Sequence, residues 1–163
     1  DTSLKKIRSI SDPRLIVHAL SQNQGVNVAR NAGIKKSSGD YILFLDSDDA
    51  LKRNWYGLVM NELSSSVTFF GTVSNTGKSM SFIQRPGMKT YREWLGKIGL
   101  SGEFLPVVKK TVFKKFMFDN NRFCFESFFW NQVIKEYGLY LSQEVIRDYY
   151  FDAGNQISEI LSA

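Results

Sequence analysis

Three acidic residues, Asp46, Asp48 and Asp49, follow a short apolar run from Tyr41 to Leu45. Carboxylates this close repel one another by roughly 1 kcal/mol per pair in water, and by more where the dielectric is lower. A well-solvated loop tolerates that repulsion, and a divalent cation removes it. Mg²⁺ and Mn²⁺ prefer oxygen ligands, and Mg²⁺ is usually held by one or two carboxylates together with substrate phosphates. The cluster therefore favours a metal-assisted site that acts on a phosphorylated substrate.

The same cluster admits other interpretations. An exposed acidic turn would stabilise the N-terminus of the following helix. A haloacid-dehalogenase-type phosphotransferase also places aspartates after an apolar strand, and Asp46 would then be a nucleophile. That enzyme would need a lysine and a further acidic pair on later strand ends, and the sequence offers no clear set. An EF-hand is excluded because, counting from Asp46, the sixth position is Leu51 instead of glycine and the twelfth is Gly57 instead of glutamate.

Strand-like and helix-like stretches alternate through the first half of the chain. Leu15 to Ala19 has the composition and length of a short buried strand. Apolar and small residues at helical spacing follow Gly25, and the Tyr41–Leu45 run comes next. A later helix starts at Glu126 and stops at Gly138. Such alternation predicts an α/β fold with a parallel sheet, and 163 residues suit a single domain over positions 1–163.

The stretch from Asn23 to Leu51 reads NQGVNVARNAGIKKSSGDYILFLDSDDAL. A polar N-x-G precedes ARN-x-G, a Ser-Gly turn and a strand that ends in D-x-D-D. In this order the features closely resemble the inverting glycosyltransferases of family 2, which have a GT-A fold. The resemblance runs more loosely to about Ser158, through RFCFESFFW and VIRDYYFDAGNQIS. It implies an α/β, GT-A-like architecture, with a Rossmann-like, mostly parallel mixed sheet flanked by helices.

The resemblance also implies roles for the acidic cluster. Asp46 would contact the nucleotide ribose or the metal shell, and Asp48 would ligate the Mn²⁺ or Mg²⁺ ion that bridges two phosphates. Asp49 would support both of them. Arg147 falls where the family's C-terminal strand approaches the donor phosphates, whose charge it would counter.

Further site residues follow from the same resemblance. Asn23, Gly25 and Arg30 fall where the family's helix and the preceding loop face the nucleotide base. As alternatives, Arg30 would pair with a carboxylate and Gly25 would start a helix. The family usually has an acidic pair where this chain has Glu126-Ser127, and one carboxylate acts as general base towards the acceptor hydroxyl. Serine is no useful base at neutral pH, so either Glu126 is the base or this copy is impaired. A first-turn glutamate that favours the helix dipole is the alternative.

The predicted function is metal-dependent, inverting transfer of a sugar from a nucleotide-diphosphate sugar, UDP-sugar above others, to an acceptor hydroxyl. The acceptor would be a glycan or a lipid-linked molecule in cell-surface polysaccharide biosynthesis. Family members open with a strand, a helix and a second strand that have no counterpart before Asp1, so we expect an N-terminally truncated domain or a fragment. A non-catalytic remnant is therefore an alternative, beside the phosphotransferase.

The amino-acid composition limits the expected binding partners and the expected cellular compartment. Lysine and arginine total 21 against 16 acidic residues, and the net charge of +5 is spread over short pairs. The sequence has no polybasic tail and no signature of nucleic-acid recognition, so nucleic acid is not an expected partner. Cys124 is the single cysteine, which excludes an internal disulfide and fits a reducing compartment. No apolar run reaches the roughly 18 residues of a membrane span. We expect a cytoplasmic protein, with peripheral contact at the inner membrane face as an option.

Overall fold

The computed structural model describes residues 2–121 and 125–150. The helices are α1 Ser3–Arg8, α2 Val26–Lys36, α3 Trp55–Glu62, α4 Tyr91–Leu95 and α5 Glu126–Tyr137, with a 3-10 helix at Lys110–Lys114. The strands are β1 Tyr41–Leu43, β2 Ala50–Leu51, β3 Val67–Ser74, β4 Ser81–Ile83, β5 Gly87–Lys89, β6 Leu100–Gly102, β7 Leu105–Lys109 and β8 Leu139–Tyr149. Within those ranges, no helix is both long and apolar enough to cross a membrane. Cys124 and the C-terminal stretch from Phe151 to Ser158 lie outside the described residues.

Six strands form one mixed sheet in the order β1-β7-β3-β8-β2, and β5 also pairs with β8. The expected α/β sheet flanked by helices is confirmed, but its mostly parallel pairing needs correction. In the described part of the chain only β3 and β8 run parallel, whereas β1–β7, β3–β7, β2–β8 and β5–β8 are antiparallel. Part of the reason is that β7 runs antiparallel between β1 and β3, so that these two strands do not pair with each other.

The central strand β3 contributes to cores on both faces of the sheet. Val67 and Phe69 pack on one side, where the Phe69 ring meets Trp130 of α5 edge-on at 5.1 Å between centroids. Phe70 belongs to the other side, with Val59 of α3. All of these side chains are at least nine-tenths buried, and each such burial contributes roughly 1.5–3 kcal/mol. The packing of α5 on β3 holds the start of α5 near the end of the sheet.

Leu15 to Ala19 does not form the expected strand. Leu15, Ile16 and Val17 are 39%, 61% and 38% exposed, and the Leu15 amide donates to the Asp12 carbonyl at 3.0 Å in a turn. None of the strands in the described ranges pairs with this segment. A strand needs a hydrogen-bonded neighbour and a buried face, and local composition supplies neither.

Candidate functional site

The acidic turn follows β1, which is two residues shorter than the predicted strand from Tyr41 to Leu45. The sheet pairing of β1 stops at Leu43, and the Asp49 amide donates to the Asp46 carbonyl at 3.2 Å, which closes a turn. Immediately afterwards β2 pairs with β8, with Ala50 opposite Asp148 and Leu51 opposite Arg147. The turn that carries the carboxylates thereby connects β1 and β2, which lie at opposite ends of the strand order.

Arg30 of α2 joins two of the predicted site carboxylates. Its guanidinium forms an ion pair with Asp46 at 3.2 Å and another with Glu126, the first residue of α5. It also lies 5.8 Å from the ring centroid of Phe44 and 5.6 Å from that of Phe118. The Arg30 side chain is only 12% exposed, whereas those of Asp46 and Glu126 are 53% and 43% exposed. We call Arg30, Asp46 and Glu126 the Arg30 cluster, and its carboxylates are open to a ligand.

Arg147 of β8 forms a second, more deeply buried group. Its Nη1 lies 3.1 Å from Asp49 Oδ2, and its Nε donates to Thr72 Oγ1 at 3.1 Å. The Arg147 and Asp49 side chains are 6% and 2% exposed, and Glu103 Oε2 lies 3.8 Å from Arg147 Nη2. Burial raises the pKa of the Asp49 carboxyl, while the Arg147 charge acts in the opposite direction. We call Arg147, Asp49, Thr72 and Glu103 the Arg147 network.

A cavity of about 210 Å³ is bordered by both groups. Its polar lining consists of Arg30, Asp46, Glu126, Glu103 and Arg147. Aromatic rings form much of the remaining wall: Phe44, Phe69, Trp94, Phe104, Phe118 and Trp130. The volume is below the roughly 300–1,000 Å³ of common ligand pockets, so the cavity would hold part of a large ligand. Guanidinium groups suit phosphate oxygens, carboxylates suit sugar hydroxyls and cations, and ring faces suit flat apolar surfaces.

Trp94 and Glu103 are among the cavity residues that the sequence prediction missed. Trp94 lies on α4, which begins with a reciprocal capping box between Thr90 and Glu93, and its indole N–H donates to Asn131 Oδ1 at 2.9 Å. The T-x-x-E pattern before Trp94 is a recognisable helix start, but nothing in the sequence directs that helix to the cavity.

Glu103 is held in place by its neighbour in a tight strand pairing. Gly102 has φ 95°, and a Cβ there would lie 2.1 Å from the Met80 carbonyl oxygen. Only glycine fits this position. The Glu103 amide then donates to the same Met80 carbonyl at 2.8 Å. No sequence motif indicates that Glu103 borders the cavity, because its position depends on the pairing of β4 with β6.

Asn23, Gly25, Asp48 and Asp49 do not line this cavity, although Asp49 contacts the lining residue Arg147. Gly25 has φ 91° immediately before α2, and its amide donates to Asn23 Oδ1 at 3.0 Å. These contacts give Gly25 the helix-start role that was one of its two predicted roles. The contact of Asn23, Gly25 and Arg30 with a nucleotide base stays a prediction. Asp48 is half-buried beside Asp49, whose pKa its charge helps to raise.

The donor atoms that Mn²⁺ or Mg²⁺ needs are present but few. Across residues 2–121 and 125–150, no three Asp, Glu, His or Cys side chains are grouped as a metal site. The turn supplies Asp46 and Asp48, and the buried Oδ1 of Asp49 has no hydrogen-bond partner among the described residues. One or two carboxylates are a usual protein share of a Mg²⁺ shell when substrate phosphates complete it. The residues therefore fit a divalent cation together with a phosphorylated ligand.

Known proteins resemble this chain in sequence and in fold. The profile of "Glycosyl transferase family 2" matches residues 1–133. The GalNAc(5)-diNAcBac-PP-undecaprenol beta-1,3-glucosyltransferase of Campylobacter jejuni is 28% identical over 139 residues, 80% of this chain and 45% of that protein. The putative teichuronic acid biosynthesis glycosyltransferase TuaG of Bacillus subtilis is 31% identical over 90 residues, 52% of this chain and 36% of that protein. The chain spans less than half the length of these curated relatives.

A solved structure of S. aureus TarS, residues 1–349 in complex with UDP-GlcNAc, superposes with a TM-score of 0.72. The alignment covers 97% of this chain and 48% of TarS, at 16% sequence identity. At that identity the likeness concerns the fold, and it confirms the predicted GT-A-like architecture.

Proposed function

The chain belongs to glycosyl transferase family 2, and from this premise we propose that it transfers a sugar from a nucleotide-diphosphate sugar to an acceptor hydroxyl. One observation carries the proposal. Residues 30, 46, 126 and 147 come from distant parts of the sequence and line a single cavity. Two relatives are named for an undecaprenol-linked acceptor and for teichuronic acid biosynthesis, and the similar TarS structure contains UDP-GlcNAc. By analogy, the proposed donor for this chain is a UDP-sugar, and the proposed acceptor is a glycan or a lipid-linked molecule. The reaction would belong to cell-surface glycan biosynthesis.

The charge of the cavity supports metal dependence. Three carboxylates, on Asp46, Glu103 and Glu126, line it with only two guanidinium groups, and Asp48 and Asp49 add two further carboxyl groups nearby. A diphosphate would be repelled by this excess of negative charge. In the proposal, Asp48 and Asp46 would hold Mn²⁺ or Mg²⁺, which when bound neutralises the charge on the leaving diphosphate. Arg147 would face the phosphates, while the buried Asp49 keeps its guanidinium in place.

Glu126 is the proposed general base. Its carboxylate borders the cavity at the N-terminus of α5, and the ion pair with Arg30 restrains it there. The acceptor oxygen would form a bond to the anomeric carbon from the side opposite the leaving group. The bond from that carbon to the diphosphate oxygen would break, and its electron pair would leave with the nucleotide diphosphate. The acceptor proton would pass to Glu126, and the displacement would invert the anomeric centre.

A transfer assay with paired glutamate variants tests this proposal. The purified chain would be incubated with UDP-sugars, Mn²⁺ and glycan acceptors, and released UDP and glycosylated product would be measured. Glu126→Gln should lower the rate by about 10²–10⁴-fold. Glu136→Gln is the matched control, because Glu136 lies in the last turn of the same helix and pairs with Lys115 on the surface. An unchanged rate in Glu126→Gln would remove the base assignment.

The metal assignment is tested separately with Asp48→Ala. That variant should abolish transfer at every Mn²⁺ concentration, since Asp48 is a proposed ligand. Full activity of Asp48→Ala would contradict a diphosphate held through a cation at this turn. If the wild-type chain binds UDP and Mn²⁺ but turns over no donor, the remnant alternative would replace the enzyme proposal.

The structure gives no support to the phosphotransferase alternative. That chemistry would place a lysine beside the Asp46 nucleophile, and the described lining of the cavity contains none. Asp46 is instead paired with an arginine that two aromatic rings enclose. Turnover of phosphate esters that is blocked by fluoroaluminate would reverse this conclusion.

A further inference from the structure

A second cavity, of about 500 Å³, lies at the opposite end of β1 from the acidic turn. It is formed where the C-terminal end of α2 meets the end of β7 and the 3-10 helix. Asp40 borders it immediately before β1, whereas Asp46 follows that strand. The two cavities share no lining residue. This second cavity is therefore separate from the proposed transfer site.

Four lysines surround the second cavity: Lys35, Lys109, Lys110 and Lys114. The Lys110 ammonium donates to the Ser37 carbonyl. Lys35, Lys109 and Lys114 are exposed, and no ion pair joins any of them to another described residue. Asp40 is the one acidic side chain in the described lining. The rim consequently carries an excess of uncompensated positive charge.

The floor of the same cavity is apolar. It is made by Ile34, Phe113 and Met117, of which Met117 is the most accessible at 37% exposed. Inorganic phosphate would satisfy the lysines and leave this floor in contact with water. Nucleic acid would do the same, and the described lining offers neither the arginine nor the exposed ring that such sites use for stacking. A molecule that joins a phosphate to hydrocarbon satisfies both parts.

We propose that this cavity binds the headgroup of an anionic phospholipid at a membrane surface. The lysine ammonium groups contact the lipid phosphate, and the apolar floor covers the glycerol and the first methylene groups. A basic side chain near an anionic membrane strengthens binding by about fivefold. Three lysines without ion-pair partners therefore give a sizeable, salt-sensitive attraction. This inference is independent of the proposed transfer chemistry.

Vesicle co-sedimentation tests the lipid site directly. The full chain would be mixed with vesicles of phosphatidylcholine alone or of phosphatidylcholine with phosphatidylglycerol. We expect binding to the anionic vesicles and much weaker binding to the neutral ones. The triple variant Lys35→Gln/Lys109→Gln/Lys114→Gln should lose about tenfold or more of that partitioning. Met117→Gln should weaken it as well, because the floor becomes polar.

A second triple variant distinguishes binding at the cavity from a general effect of the net charge. Lys5→Gln/Lys6→Gln/Lys78→Gln removes the same charge from exposed positions outside the cavity, and it should bind within about threefold of the wild-type chain. Circular dichroism and unfolding midpoints would verify that both triple variants fold. Equal losses in the two triple variants would overturn the proposal, because they would show a non-specific charge effect.

Three other outcomes would also overturn the lipid assignment. The first is equal binding to neutral and anionic vesicles. The second is displacement from vesicles by inorganic phosphate at concentrations matching the lipid phosphate, which would indicate a free-phosphate site. The third is binding of a DNA oligonucleotide that only the cavity triple variant loses. Glu126→Gln should bind vesicles like the wild-type chain, so a failure of the transfer proposal leaves this test intact.

Discussion

Two arginines line the same cavity, and they differ in how deeply their partner carboxylates are buried. Arg147 pairs with Asp49, whose side chain is 2% exposed, whereas Arg30 pairs with Asp46 and Glu126, which are 53% and 43% exposed. An isolated buried charge is very costly, so Asp49 and Arg147 depend on each other. The carboxylates of the Arg30 cluster can instead exchange their partner for water or a ligand at little cost. The Arg147 network is therefore a structural frame that also presents Arg147 to the cavity, whereas the Arg30 cluster holds the carboxylates available to a ligand.

Arg147→Ala should produce the largest loss of stability. It leaves the buried Asp49 carboxylate without its ionic partner, so the free energy of unfolding should fall by about 3–5 kcal/mol in urea denaturation. Arg14→Ala is the control, because Arg14 is 88% exposed and forms its ion pair with Asp12 at the surface, so the unfolding midpoint should not move. A loss below about 1 kcal/mol for Arg147→Ala would mean that the network is no frame.

Arg30→Gln should have an intermediate effect. The variant loses a cation enclosed by Phe44 and Phe118, together with two ion pairs that solvent screens. We expect the free energy of unfolding to fall by about 1–2 kcal/mol. The same urea titration measures it. A loss as large as that of Arg147→Ala would erase the distinction between the two groups.

Glu126→Gln should change stability least, although it should lower the transfer rate by about 10²–10⁴-fold. Its carboxylate is half-exposed, and its contribution to the α5 dipole and the Arg30 pair should total no more than about 1 kcal/mol. Thermal unfolding of the variant and the wild-type chain at one pH makes the comparison. A loss above about 2 kcal/mol would show that Glu126, like the Arg147 network, is needed mainly for stability.

The pKa of Asp49, measured in the folded protein, tests the Arg147 network without unfolding the chain. Burial raises the pKa of this carboxyl and Arg147 lowers it in part, so Arg147→Ala should raise the pKa further. Carbon-detected NMR of the side-chain carboxyl would follow both proteins. Because the folded chain holds this proton more tightly than the unfolded chain, the associated stability is present at low pH and is lost as pH rises through the folded pKa. A pKa below the ordinary value in the wild-type chain would contradict the burial argument.

The sequence predicted those parts of the site that local patterns encode. The apolar run before Asp46 indicated a strand that ends in carboxylates, and the helix from Glu126 to Gly138 is confirmed with Glu126 at its start. Arg30 and Glu126 line one cavity with Asp46, and the roles that the resemblance implies for these three residues stay predictions.

The remaining features depend on long-range pairing. No local pattern shows that β7 enters the sheet between β1 and β3, where both of its pairings are antiparallel. Glu103 reaches Arg147 only because Gly102 permits a close approach to Met80. Leu15 to Ala19 has strand composition without a described pairing partner, so composition alone misled. Each of these cases turns on a contact between segments that are distant in the chain.

The central claim is that a nucleotide sugar binds beside the Arg30 cluster, and three tryptophans can report on it. Trp94 and Trp130 line that cavity, whereas Trp55 packs against the core on the other face of the sheet. Two-dimensional NMR of the indole N–H groups, assigned with single Trp→Phe variants, would follow a titration with UDP-GlcNAc and Mn²⁺. We predict shifts of the Trp94 and Trp130 signals and an unmoved Trp55 signal. No shift at Trp94 or Trp130 at saturating ligand, or a shift confined to Trp55, would contradict the account.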